Sequence, residues 1–156
     1  MVRKKAKERP DPKPYTMPGL LIMPERLTAS SSRLFHWRQL LKAYLLSDRD
    51  FECRGCGGDL QDGAHMHEGI FSRGKVEGWP KRWRILIHCE LNCVLLCAQC
   101  NMGVPPQPLT IWKEHCDRYG ATTMLEWFDS LPFKQTPAFV NQTRQMLAYI
   151  EARKEL

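Results

Sequence analysis

At 156 residues the chain is long enough for one compact core with extensions and too short for several independent domains. Hydrophobic residues make up 43% of it, yet no run approaches the roughly 18 apolar residues of a membrane helix. The basic, polar start lacks the apolar stretch of a secretory signal, so no membrane partner and an intracellular, cytoplasmic location are expected. The net charge of +6 points to a polyanionic partner.

Residues 1–29 form a basic, Pro-rich arm. Arg3, Lys4, Lys5, Lys7, Arg9 and Lys13 alternate with Pro10, Pro12, Pro14, Pro18 and Pro24. Such a stretch buries little apolar surface and reads either as a solvated tail or as a phosphate-contacting arm. Ser30, Ser31 and Ser32 then cap an amphipathic helix expected over Ser32–Leu46, with Leu34, Trp37, Leu40, Leu41, Tyr44 and Leu45 inward and Arg33, Arg38 and Lys42 outward. From Phe51 to Asn101 cysteines, glycines and short apolar runs replace helical periodicity. Ala64–Phe71 and Trp83–His88 read as strands, joined by a loop holding Gly74, Gly78 and Pro80. Arg73, Lys75, Lys81, Arg82 and Arg84 crowd this region and are candidate nucleic-acid contacts. Beyond Pro105, Pro106 and Pro108 the helical period returns over Leu109–Tyr119, Thr122–Leu131 and Thr136–Lys154. The expected organisation is an arm (1–29), a core (30–104) and a helical extension (105–156).

Seven cysteines, an odd count, favour metal ligation over disulfides in an intracellular chain. Cys53-Arg-Gly-Cys56-Gly-Gly and Cys97-Ala-Gln-Cys100 are two Cys-x-x-Cys knuckles. Each turn brings two thiolates to one ion, glycine relieves crowding at the sulfurs, and four thiolates close the coordination of a structural zinc. A segment of about 50 residues with so little apolar content needs that ion to fold. Cys89, Cys93 and Cys116 are expected to be small buried apolar residues; a second metal site using His88 and Cys93 is the alternative.

Between the knuckles lie His65-Met66-His67-Glu68 and Asn92-Cys-Val-Leu-Leu, and Asn101 follows Cys100 directly. From Trp37 to Gly103 this order resembles the His-Asn-His (HNH) endonucleases. Their pattern is a helix, Cys-x-x-Cys-Gly, a strand ending in histidine, a loop, Asn-Leu-x-x-Leu-Cys-x-x-Cys, then His or Asn. Tyr119-Gly120 and Leu131-Pro-Phe133-Lys134 are similar to small phage-encoded members, which implies a phage-infected bacterial host. The resemblance implies an α+β fold: a zinc-stapled, treble-clef-like ββα-metal core with flanking α-helices.

It also implies a phosphodiester hydrolase that nicks DNA, as monomer or dimer. His67 would be the general base, a role suited to an imidazole that titrates near about 6.5. Asn92 would orient it. A magnesium or manganese ion, with Asn101 among its ligands, would stabilise charge on phosphate and on the leaving 3′ oxygen. Two departures stand out. Met66 occupies the position where the family carries a metal ligand, and a thioether suits a hard cation poorly. His65, two residues before His67 on one strand face, is the replacement candidate, with Glu68 the other. Asn101 stands where histidine is common.

A non-catalytic zinc-binding nucleic-acid module is the competing function, and a treble-clef protein-interaction domain a third. Neither requires a strand-end histidine or asparagines at 92 and 101. Trp79 and Trp83 could stack on bases or pack in the core; His36 and His115 read as structural or surface polar, and His88 as facing either phosphate or core.

Overall fold

The computed structural model describes residues 31–48, 51–60, 63–80, 84–132 and 134–154. The basic arm, Lys81, Arg82 and Trp83 lie outside the described residues. The first helix, α1, spans Ser31–Asp48. Trp37, Leu41 and Leu45, each four residues apart, are buried, while Phe35 and Leu40 are exposed. The inward stripe is therefore narrower than the sequence pattern implies, and Leu40 falls off its edge. Arg38, expected on the outer face, is half-buried and turns inward.

Two four-residue strands follow, β1 (His65–Glu68) and β2 (Cys93–Leu96). They pair antiparallel with His65 opposite Leu96, Met66 opposite Leu95, His67 opposite Val94 and Glu68 opposite Cys93. Over 84–88, the described part of the expected Trp83–His88 strand, no strand forms. Within that range Ile85–Ile87 form a 3-10 turn. Its backbone is already committed: His88 N–H donates to Ile85 O, and Ile87 O accepts from the Asn92 amide. A short apolar run reads alike as strand or turn of helix, which is why Ile85–Ile87 mislead and Cys93–Leu96 do not stand out. All four β2 residues are buried, with α1 packed against the strand, so no alternation marks it. Gly69 N–H still reaches Asn92 O at 2.8 Å in the same register, but Asn92 N–H turns away to Cys89 O at 3.1 Å, so the ladder ends at Glu68.

After β2 comes a short helix, α2 (Ala98–Met102), packed against both strands. Three longer helices follow: α3 (Pro108–Tyr119), α4 (Ala121–Ser130) and α5 (Val140–Lys154). Pro108 starts α3 where its missing N–H costs nothing. Gly120, at φ 90°, makes the corner between α3 and α4 that a residue with a Cβ would resist. The last helix begins at Val140, later than Thr136, after a turn in which Phe139 N–H donates to Thr136 O.

One buried cluster runs from Leu41 on α1 through the strands to Ile150 on α5. Phe71 is its hinge, with ring centroids 5.9 Å from Trp127, 6.2 Å from Phe128 and 4.8 Å from Phe139. The helical extension therefore shares a core with the cysteine-bearing unit. The whole is a mixed α+β arrangement of helices around a small two-stranded sheet. Among the described residues no helix is long and apolar enough to cross a membrane.

Candidate functional site

The two knuckles converge. The sulfurs of Cys53, Cys56, Cys97 and Cys100 lie within 4.8 Å of one another, with Cys56 and Cys97 at 4.0 Å. A tetrahedral zinc with bonds of about 2.3 Å needs sulfurs roughly 3.8 Å apart, so small shifts would close the group on the ion. The donor chemistry, four thiols and nothing else, fits zinc. Local backbone explains the convergence. Gly57, at φ 71°, turns the first knuckle, and its N–H returns to Cys53 O at 2.8 Å. Arg54 N–H donates to Leu95 O at 2.9 Å, which fastens that knuckle to β2. A Cβ on Gly55 would stand 2.7 Å from the Cys100 sulfur, so only glycine lets the knuckles meet.

The thiols are not equivalent. Burial opposes ionisation of Cys53, but N–H groups of Cys97, Cys56 and Gly55 point at its sulfur and bring it down to about 6. Cys100, crowded by the Cys97 thiol first and then by burial and the other two, is pushed up to about 12. A dication at the centre removes that conflict by favouring every thiolate together.

Strand β1 sorts its residues by the period of two. Met66 packs on the core and Glu68 is buried, while His65 is exposed and His67 half-buried. His67 lines a cavity of about 280 Å³ together with Gly69, Ser72, Lys75 and the 103–108 loop. Asn101 is half-buried on α2. The described residues bring together no group of three or more His, Cys, Asp or Glu donors other than the four cysteines.

Glu68, one candidate ligand, is already engaged. Arg38 Nη1 donates to its carboxylate at 2.6 Å, and His88 Nδ1 lies 3.3 Å from the same oxygen and 3.1 Å from Arg38 Nη1. Burial alone would raise the Glu68 pKa; contact with His88 and the Arg38 charge reverse this and hold it at about 2. Burial, opposed by the Glu68 contact and joined by the Arg38 charge, shifts the His88 pKa below its usual 6.5. Trp37 Nε1 donates to His88 O at 2.8 Å. His88 therefore faces the core, and it does not join Cys93 in a second metal group. Cys93 and Cys116 are buried as expected; Cys89 is half-buried, and burial pushes its thiol up to about 12.

Asn92 is fully buried. Its amide oxygen accepts from Phe71 N–H at 2.7 Å, and its NH₂ donates to Phe71 O at 3.0 Å and Ile87 O at 2.8 Å. No hydrogen bond joins this amide to the His67 ring. Asn92 instead staples the turn after β1 to the 3-10 segment, with its own carbonyl holding Gly69 N–H.

Of the basic candidates, Arg73 and Lys75 are exposed and Arg84 is half-buried. Trp79 packs against the core, and His115 is buried with Nδ1 3.0 Å from Leu91 O. His36 is exposed. Two ion pairs that the sequence does not announce cross a second cavity of about 460 Å³ beside Cys53: Arg54–Glu114 and Arg118–Asp48. Nothing in their spacing could reveal them, since each joins segments far apart in the chain.

Compared with protein-family models, with curated proteins and with solved structures, the chain matches none. What this site can do must follow from its own donors and cavities.

Proposed function

We propose that the chain is a metal-dependent DNA endonuclease of the HNH type, hydrolysing phosphodiester bonds and nicking duplex DNA. The observation that carries this reading is the position of His67. It sits half-buried on β1, at the wall of a cavity shared with Ser72 and Lys75, beside a β1–β2–α2 unit that four cysteines can close. His67 takes a proton from water as the water oxygen bonds to phosphorus, and the bond to the 3′ oxygen breaks. Lys75 offers positive charge to the phosphate from the same wall. Cys53, Cys56, Cys97 and Cys100 hold zinc as a fold staple.

His65 and Asn101 would hold the catalytic magnesium or manganese, since Arg38 and His88 occupy Glu68. When bound, that ion stabilises negative charge on the phosphate and the leaving oxygen. With so few protein donors it would depend on substrate oxygens and water, a habit of magnesium sites.

One observation favours a second reading, a zinc-binding nucleic-acid module without catalysis: no third His, Cys, Asp or Glu donor gathers beside His65 and His67 among the described residues. Supercoiled plasmid separates the two. Open-circular product that needs added magnesium or manganese supports the nuclease. Plasmid that is bound yet stays supercoiled in both ions supports the module. Omitting the ion is the proper control, because a chelator would also strip zinc.

A further inference from the structure

The cavity at His67 does not end at its wall. Lys75, Gln107 and Pro108 also line a third cavity, of about 470 Å³, that continues along α3 and α5 past Lys113, Asn141 and Gln145. The shared residues make the two one groove. Its chemistry is lopsided. Among the described residues its one lining carboxylate, Glu68, is buried against Arg38; the remaining polar lining is two lysines, a serine, a threonine, His67 and side-chain amides. By contrast, the cavity beside Cys53 mixes signs: Asp48, Glu52 and Glu114 line it together with Arg54 and Arg118.

Both lysines are held in place by aromatic rings. Lys75 Nζ lies 5.8 Å from the centre of the Phe139 ring, and Lys113 Nζ lies 5.3 Å from that of Tyr149. Neither forms an ion pair among the described residues. Gln142 donates to Ile70 O at 2.5 Å, tying α5 to the segment that follows β1. Cations at exposed, ring-braced positions, amide N–H donors between them and no available carboxylate suit a polyanion laid lengthwise.

We infer that this groove is the track for the sugar–phosphate backbone of DNA flanking the cut, contacted by Lys75, Lys113, Asn141 and Gln145. That the polyanion is DNA rests on the nuclease reading above. The helices α3 and α5 then belong to the substrate-binding surface, and the contacts extend beyond the basic stretch at 73–84. They are phosphate contacts and carry no sequence preference of their own.

The test is anisotropy of a short labelled duplex with zinc-loaded, full-length protein, over a salt series and without magnesium or manganese. Lys75→Ala and Lys113→Ala should each make the salt dependence shallower by about 0.9 in the log–log slope, the release of one counterion. Gln145→Glu should weaken binding roughly tenfold, by placing a like charge against phosphate. Thr122→Glu, the same charge change exposed on α4 outside the groove, should stay within about twofold because solvent screens it. Wild-type slopes and affinities in all three groove variants overturn the groove, even if the protein cuts DNA. The expected losses in a protein that never cuts support the groove and sink the nuclease. A wild-type protein that binds no duplex overturns both.

Discussion

Glu68 carries a carboxylate into the interior, where only 8% of the residue is exposed, and it stays charged because Arg38 and His88 meet it there. Its folded pKa of about 2, against a usual 4.5, corresponds to about 3 kcal/mol, present above pH 4.5 and lost as pH falls toward 2. His88 acts in the same direction. Its folded pKa lies below 6.5, so the unfolded chain binds its proton first and stability declines as pH drops below that value. Urea unfolding should therefore show stability falling from neutral pH through the acid range. Glu68→Gln should cost about 3–5 kcal/mol at pH 7 by stranding the Arg38 charge, and should flatten the profile below pH 4.5. An unchanged profile in that variant would show that other groups govern the acid limb. Asn92 calls for a different experiment. Asn92→Ala removes three buried hydrogen bonds, to Phe71 N–H, Phe71 O and Ile87 O, and only the weak Cys93 Sγ contact at 3.5 Å stays on Ile87 O; losing partners in the interior costs about 1–3 kcal/mol per group left unsatisfied. Thermal unfolding should show a large drop in Tm with zinc bound. A near-wild-type Tm would mean that the turn does not need this staple.

At the level of elements, β1, β2 and α2 are too short to hold a shape unaided and are fixed by what crosses them. Gly55 is the tightest crossing: its missing Cβ leaves room for Cys100, the last thiol of the second knuckle. Gly55→Ala should therefore lose most of the zinc content measured on the purified protein, while Gly78→Ala, in open space, should retain it. Equal zinc in both would break the proposed packing of the knuckles. The long helices were legible because Pro108, Gly120 and the spacing of Trp37, Leu41 and Leu45 act locally. The knuckles were legible because ligand spacing is a local property as well. Strand β2 was not, since burial on both faces erases alternation, and Ile85–Ile87 show the same apolar texture in a 3-10 turn. The inward turn of Arg38 was equally hidden: its partners, Glu68 and His88, are 30 and 50 residues away. Asn92 was visible as a residue of interest, but its partners, and hence its role as a staple, depend on how the turn folds.

Across the whole molecule, two kinds of cohesion meet at β2. On one side four thiols can take an ion; on the other an aromatic cluster around Phe71 joins α4 and α5 to the sheet. His67 lies where these parts face a common groove, held by a strand whose two ends are fixed separately. A side chain so placed holds little of the core, so chemistry and scaffold can be tested apart. The most direct measurement is single-turnover plasmid nicking by wild-type, His67→Ala and His65→Ala proteins, each first shown to carry one zinc and to bind DNA. His67→Ala should lose about 10²–10⁴-fold in rate, with no recovery in excess manganese, because the proposed base itself is gone. His65→Ala should lose activity that excess manganese partly restores, because an ion ligand is gone. Wild-type rates in both variants would contradict the assignment of this site, and rescue of His67→Ala but not His65→Ala would reverse the two roles.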